Sequence, residues 1–202
     1  MSGVRVSFPE GAPAELQIAS AKEKKVTLDR KRIDAIEAAV GELEAAASDR
    51  LAHGLVVRGG PTNVFCAGAD LDLMEAMATP EERLEALHSV QDIYDRIAAL
   101  PCRTVAAVRG TCVGGGLELA LACDVLLAST EKTTKVGLPE VRLGILPAWG
   151  GTRRILAKAG LARALPLVLA GSVLPARVMA AKGVVDEAVP GELILDRARA
   201  IA

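Results

Sequence analysis

Two loops of small residues are the parts of this chain with the most evident capacity for chemistry. The first is Phe65–Asp70 (F-C-A-G-A-D) and the second is Gly114–Glu118 (G-G-G-L-E). Each is predicted to follow a strand and to open into a helix, which leaves backbone N–H groups free and lets a ligand approach the main chain. Two such turns side by side could direct two N–H donors at one oxygen that develops negative charge, as in an oxyanion hole. Tight packing and phosphate binding are the commoner uses of glycine-rich turns.

Two glutamates are the candidate acid–base groups. Glu118 lies at the start of a predicted helix, where the helix dipole favours a carboxylate, so it is either a first-turn capping acid or a catalytic group. Glu140 follows Pro139 in an otherwise apolar loop. Burial there would tune its pKa for proton transfer, whereas an exposed turn would not. Because the two residues are far apart along the chain, only the fold can bring their carboxyl groups together.

Other catalytic arrangements find little support in the sequence. The two histidines, His53 and His88, lie in different predicted elements, which argues against a histidine metal site and against a Ser-His-Asp triad. Asp70 and Asp72 lack a third acidic ligand at a suitable spacing, so no metal site is predicted. The four cysteines show no metal-ligand spacing and are expected to be free thiols. Trp149, the single tryptophan, is open to two interpretations, a hydrophobic plug or a pocket wall.

Composition predicts an aliphatic core and a soluble domain. Apolar residues make up 51% of the 202 residues but aromatic residues only 2%, which suits helices packed closely on a mainly parallel sheet. The net charge of −1 does not favour a nucleic acid or a membrane surface as a partner. No apolar run approaches the roughly 20 residues that span a bilayer, and the N-terminal region lacks a signal-peptide pattern. A cytoplasmic location is therefore expected.

Alternating strand and helix patterns predict the α/β class. The predicted strands are 15–19, 55–58, 104–108, 124–129 and a short closing strand at 184–185. The predicted helices are 27–47, 81–100, 115–123 and 192–202, with two or three more between 152 and 182. The strands 55–58 and 104–108 are expected to lead into the two small-residue loops.

Three motifs, taken in order, resemble the crotonase superfamily and in particular its enoyl-CoA hydratases. They are Phe65–Asp70, Gly114–Asp124 (G-G-G-L-E-L-A-L-A-C-D) and Val136–Arg154 (V-G-L-P-E-V-R-L-G-I-L-P-A-W-G-G-T-R-R). The resemblance extends from about residue 15 to the end, and it is strongest to the hydratase portion of bacterial multifunctional fatty-acid oxidation proteins. It implies that residues 1–202 form a crotonase-like (ClpP/crotonase) domain of repeated ββα units. It further implies an N-terminal fragment that lacks the C-terminal lid helices of complete hydratases.

The resemblance also implies the residues of the site. The backbone N–H groups of Ala69 and Gly115 would form the oxyanion hole around the thioester carbonyl, and Glu118 and Glu140 would hold and activate a water molecule. Residues expected to contact the substrate or its coenzyme A are Lys25, Ala67, Gly68, Asp70, Gly114 and Trp149. No cofactor is implied, because coenzyme A is part of the substrate.

The chain departs from the family pattern at two places. Pro147-Ala148-Trp149 replaces the usual Pro-Gly-Ala, so a large ring is expected near Glu140, where it could shorten the acyl pocket. An asparagine usual near residues 26–28 is absent, which affects the expected contacts with coenzyme A.

The function implied by the resemblance is hydration of trans-2-enoyl-CoA thioesters in fatty-acid β-oxidation. The alternatives are a Δ3–Δ2-enoyl-CoA isomerase and a CoA-ester-binding domain that is inactive in isolation. The implied partners are an enoyl-CoA thioester, further copies of the chain in a trimer or hexamer, and a downstream hydroxyacyl-CoA dehydrogenase domain.

Overall fold

Two sheets and their covering helices make up the computed structural model, which describes residues 3–20, 23, 25–46, 53–60, 64–75 and 78–202. In chain order the strands are β1 (Arg5–Ser7), β2 (Ala14–Gln17), β3 (Leu55–Arg58), β4 (Val64–Cys66), β5 (Thr104–Val108), β6 (Thr111–Val113), β7 (Val125–Ser129), β8 (Lys135–Gly137), β9 (Val173–Pro175) and β10 (Glu187–Val189). The helices are α1 (Arg30–Ala45), α2 (Leu71–Glu75), α3 (Pro80–Ala98), α4 (Gly115–Ala120), α5 (Gly151–Ala159), α6 (Leu161–Leu169), α7 (Ala176–Ala181) and α8 (Ile194–Ile201), with a 3-10 helix at Glu140–Leu143.

From β3 to β8, consecutive strands alternate between the two sheets. The larger sheet has the order β1-β2-β3-β5-β7-β10 and the smaller has the order β4-β6-β8-β9. Within each sheet the strands are parallel, except for the antiparallel pairs β1–β2 and β8–β9. The chain thus passes from β3 to β4, from β5 to β6 and from β7 to β8, and a helix follows each pair. This is the repeated ββα arrangement that the crotonase resemblance implies.

Aliphatic side chains fill the core, as the composition predicts. Every residue of the central strands β5 and β7 is buried, which matches their uninterrupted small and branched side chains. α1 begins after Asp29, whose side chain accepts the N–H of Arg32 at 2.7 Å and so caps the helix. α3 begins with a capping box between Thr79 and Glu82.

The predicted closing strand at 184–185 is wrong. The N–H groups of Val184 and Val185 both donate to the carbonyl of Met179, so these residues finish the end of α7 instead of pairing in a sheet. The strand that closes this edge of the larger sheet beside β7 is β10, which begins two residues further along. The sequence patterns also miss β1, β4, β6, β8 and β9, each of which has three residues. β4 and β6, rather than β3 and β5, lead directly into the two small-residue loops.

None of the helices in the described part of the chain is long and apolar enough to cross a membrane.

Candidate active site

The two small-residue loops are in contact. Each continues from one of two parallel neighbours, β4 and β6, so both emerge at the same edge of the smaller sheet. Gly68 and Gly114 meet at the contact, since a Cβ built on Gly114 would lie 3.5 Å from the Cα of Gly68. Both have positive φ, 97° and 55°, which a glycine adopts without strain. The fold therefore places the two loops side by side, as an oxyanion hole built from both would require.

The N–H of Ala69 points away from the neighbouring segment of chain. Leu28 donates its N–H to the carbonyl of Gly68 at 2.9 Å and accepts the N–H of Asp70 at 3.2 Å. Leu28 and Ala69 thus form a parallel β-bridge, in which Leu28 bonds to the residues on either side of Ala69. In this pattern the N–H of Ala69 itself points away from Leu28. No group among the described residues accepts the N–H of Ala69.

The N–H of Gly115 points outward from the start of α4. The carbonyl of Gly114 accepts the N–H groups of Leu117 at 2.8 Å and Glu118 at 3.0 Å, so it points into the helix. Since C=O and N–H point in opposite directions in a trans peptide, the N–H of Gly115 points away from the helix. As the first helical residue it has no intrahelical acceptor, and no other described group accepts it. Ala69 and Gly115 therefore offer two unpaired donors on adjacent loops.

Glu118 is buried and held by backbone N–H groups from outside its own helix. Its Oε1 accepts the N–H of Trp149 and the N–H of Gly151, both at 2.8 Å. It makes no capping bond to α4, so the interpretation as a capping acid is wrong. Burial, together with the charge of Glu140, raises the pKa of Glu118 to about 7, although the two N–H donors oppose the rise.

Glu140 is buried at the start of the 3-10 helix. Its Oε1 lies beside the second loop, 3.1 Å from the position that a Cβ on Gly114 would take. Its Oε2 is buried and has no hydrogen-bond partner among the described residues. Burial raises the pKa of Glu140, so the exposed-turn interpretation is wrong. A buried carboxyl oxygen without donors favours the protonated form. The fold thus brings the two carboxyl groups close enough for the charge of Glu140 to raise the pKa of Glu118.

Trp149 forms a wall against Gly115. A Cβ on Gly115 would overlap the indole ring, so the ring lies directly on the glycine Cα. Tyr94 of α3 meets the ring edge-on, with centroids 6.3 Å apart, and its hydroxyl donates to the carbonyl of Gly115 at 2.9 Å. The helical periodicity of α3 places Tyr94 in the core but contains no signal that it reaches this loop.

The remaining predicted contacts lie around the first loop or at the surface. Ala67 donates its N–H to Val26 at 2.7 Å, and the side chain of Asp70 accepts the N–H of Asp72 at 3.1 Å. Lys25 is exposed, and its neighbour Lys24 is outside the described residues. The contacts of these residues with coenzyme A stay predictions. In the described ranges, no group of three or more His, Cys, Asp or Glu side chains is arranged to hold a metal ion.

Burial of Glu118 predicts a pH-dependent stability. Its pKa of about 7 in the folded protein lies above the ordinary value of 4.5. Between these values the folded state keeps a proton that the unfolded state releases, so the free energy of unfolding falls as the pH rises. Glutamine at position 118 has no proton to release, so Glu118→Gln removes this fall in the free energy of unfolding. We expect the variant to gain roughly 1–3 kcal/mol over the unsubstituted protein at pH 8, with little gain near pH 4.5.

Urea unfolding at several pH values measures this difference. Glu85→Gln, on the exposed side of α3, is the matched control and should follow the unsubstituted protein throughout. Unfolding free energies for Glu118→Gln that run parallel to those of the unsubstituted protein would show that Glu118 does not carry the raised pKa.

Comparison with known proteins shows the family. The model described as "Enoyl-CoA hydratase/isomerase" matches residues 20–202. The chain is similar to the fatty acid oxidation complex subunit alpha of Vibrio vulnificus, with 40% identity over 177 residues, 88% of this chain and 25% of that protein. It is 38% identical over 195 residues to the corresponding protein of Vibrio cholerae, and the match covers 96% of this chain and 27% of that protein. The chain thus spans about a quarter of the length of these curated relatives.

Solved structures show the same fold. The chain superimposes on an enoyl-CoA hydratase of Geobacillus kaustophilus with a TM-score of 0.87 and 28% identity, covering 99% of this chain and 73% of that one. An enoyl-CoA hydratase of Bacillus anthracis gives a TM-score of 0.85 and 26% identity, and the match covers 97% of this chain and 73% of that one. The chain therefore belongs to the enoyl-CoA hydratase/isomerase family of the crotonase superfamily.

Proposed function

We propose that this chain adds water to trans-2-enoyl-CoA thioesters, giving 3-hydroxyacyl-CoA products in fatty-acid β-oxidation. The observation that carries the proposal is the pair of buried carboxyl groups, Glu118 and Glu140, beside two unpaired N–H donors. Hydration of a conjugated thioester needs both parts, one to stabilise an enolate and one to move protons.

The two N–H donors would act on the thioester oxygen. When water adds at C3, electrons move from the C2=C3 bond onto the carbonyl oxygen, which gains negative charge. Donation from Ala69 and Gly115 stabilises that charge more in the transition state than in the substrate, which lowers the barrier. Because Leu28 holds the first loop and α4 holds the second, the donors need little rearrangement.

The two carboxyl groups would divide the proton transfers. The Oε1 of Glu118 is occupied by two N–H groups that stabilise its carboxylate, so its other oxygen can take a proton from water as the hydroxyl joins C3. Glu140, whose buried Oε2 lacks donors, would be the protonated partner and would give its proton to C2. One water is consumed in total, and a proton passing from Glu118 to Glu140 restores the starting state.

Two other functions fit parts of the same site. A Δ3–Δ2 isomerase needs the two N–H donors and one carboxyl that carries a proton between C2 and C4, a role that Glu140 alone could fill. A CoA-ester-binding domain needs the loops but no proton transfer. The hydratase is favoured because Glu118 is also buried, and its carboxylate is oriented by two hydrogen bonds.

Crotonyl-CoA distinguishes the three functions. A hydratase removes the ultraviolet absorbance of the conjugated thioester when the purified chain is added. An isomerase leaves crotonyl-CoA unchanged and instead generates that absorbance from a 3-enoyl-CoA. Binding without either change would support the binding domain and contradict the proposal.

The wider assembly is also a proposal. A 3-hydroxyacyl-CoA product is the substrate of a hydroxyacyl-CoA dehydrogenase, and the relatives are named as subunits of a fatty acid oxidation complex. We therefore propose a dehydrogenase domain or subunit as the functional partner, together with a trimer or hexamer of this chain. No cofactor beyond the coenzyme A of the substrate enters the proposed reaction.

A further inference from the structure

One face of α3 contacts the backbone of both segments that form the site. Gln91, Tyr94 and Asp95 share this face because residues three and four apart are neighbours on a helix. Tyr94 donates to the carbonyl of Gly115, and Asp95 pairs with Arg154. The amide Nε2 of Gln91 donates to the carbonyl of Ala148 at 2.6 Å. This last bond links α3 to the turn that holds Glu118.

A single peptide group connects Gln91 to Glu118. The peptide between Ala148 and Trp149 accepts from Gln91 through its carbonyl and donates to the Oε1 of Glu118 through its N–H, at 2.8 Å. In a trans peptide these two groups point in opposite directions, so fixing the carbonyl also fixes the N–H. Hydrogen bonds that share one amide also polarise each other, which strengthens the donation to the carboxylate.

Arg154 is the other described residue whose side chain bonds to a carbonyl of this turn. Arg154 donates to the carbonyl of Trp149 at 3.0 Å, but that carbonyl belongs to the next peptide. Gly150 follows with φ 99°, so the turn passes through a residue without a side chain to pack. Among the described residues, Gln91 is the one whose side chain bonds to the carbonyl of Ala148.

We infer that Gln91 is a positioning residue, which orients the carboxylate of Glu118 through the Ala148–Trp149 peptide. This inference rests on the proposed function for its catalytic consequence but not for its structural one. Other titratable groups face Glu118 as well: Glu140 from the 3-10 helix, Arg154 from α5 and Tyr94 from α3. Replacing Gln91 substitutes none of these three residues. A change in the pKa of Glu118 therefore reports on its hydrogen bond from the Ala148–Trp149 peptide.

Gln91→Leu tests the inference, because leucine keeps most of the side-chain volume and removes the donor. We expect kcat for crotonyl-CoA hydration to fall roughly 5–30-fold with KM changed less than about twofold, since a weakened bond to the carboxylate affects the proton transfer. The limb of the pH–rate profile that reports Glu118 should move upward by roughly 0.5–1 pH unit. Gln17→Leu replaces the other glutamine of the chain and should leave all three quantities unchanged.

Fluorescence gives a readout that does not depend on catalysis. Trp149 is the only tryptophan, and its backbone N–H donates to Glu118, so the emission of its ring should change as Glu118 titrates near pH 7. Glu118→Gln should abolish that transition, and Gln91→Leu should shift it to higher pH. A shift without any hydration by the unsubstituted protein would support the positioning role and contradict the proposed function.

Two results would overturn the inference. One is a Gln91→Leu protein that folds and keeps the titration and the pH–rate profile of the unsubstituted protein. The other is a Gln17→Leu protein that shows the same shifts as Gln91→Leu. Circular dichroism establishes folding in each case, and Gln91→Met, which also lacks the donor, takes the place of Gln91→Leu if the leucine variant does not fold.

Discussion

Replacing either Glu118 or Glu140 with glutamine should lower kcat for enoyl-CoA hydration roughly 10²–10⁴-fold, the range of positioned acid–base groups. Glutamine keeps the shape of the side chain, and its carbonyl oxygen can still accept the N–H groups of Trp149 and Gly151 at position 118. It cannot exchange a proton, so the loss falls on the chemical step. Binding of an enoyl-CoA should survive in both variants, because the loops that we propose to bind the thioester are unchanged.

Stopped-flow absorbance with crotonyl-CoA measures kcat, and calorimetry with a non-reactive acyl-CoA measures binding. Glu85→Gln on the exposed side of α3 is the matched control and should keep normal turnover. Near-normal turnover in either site variant would remove that residue from the mechanism. A large loss in Glu140→Gln alone would favour the isomerase, which needs one proton carrier.

Ala69→Pro should reduce kcat roughly 10²–10³-fold, because proline lacks the N–H that we assign to the oxyanion hole. The N–H of Ala69 has no acceptor among the described residues, so its removal breaks no hydrogen bond of the fold that the structure records. The bonds from Leu28 to Gly68 and from Asp70 to Leu28 use neighbouring groups and should persist.

Ala69→Ser is the control for Ala69→Pro. Serine keeps the backbone donor and adds only a hydroxyl, so turnover within a few-fold of normal is expected. Thermal unfolding of both variants establishes that the loop remains folded. A folded Ala69→Pro protein with normal turnover would show that the N–H of Ala69 does not stabilise the thioester oxygen.

Sequence patterns predict the longer elements of this fold and miss the shorter ones. The predicted strands 55–58 and 104–108 coincide with β3 and β5, because their buried residues form continuous apolar runs. β4 and β6 have three residues each, too few to show a period, and they are defined by pairing with strands from other parts of the sequence. Val184 and Val185 have strand-forming side chains, but the end of α7 captures their N–H groups.

The sequence likewise identifies some residues of the candidate site but not the contacts that surround them. The two loops and the two glutamates can be recognised from local composition and from the crotonase resemblance. Their environments depend on contacts between distant segments, such as the N–H groups of Trp149 and Gly151 on Glu118. The contacts of Gln91 and Tyr94 with the site are likewise long-range, since each side chain bonds to a carbonyl more than twenty residues away. Helical periodicity reports which face of α3 is buried but not which loop it meets.

Crotonyl-CoA hydration in oxygen-18 water tests the central claim, that Glu118 and Glu140 add water across a conjugated double bond. We expect 3-hydroxybutyryl-CoA that carries one oxygen-18 atom, detected by mass spectrometry, with the label almost absent when either glutamate is replaced by glutamine. Crotonyl-CoA recovered unchanged and unlabelled from the unsubstituted protein, under conditions in which it binds, would contradict this role for the two glutamates.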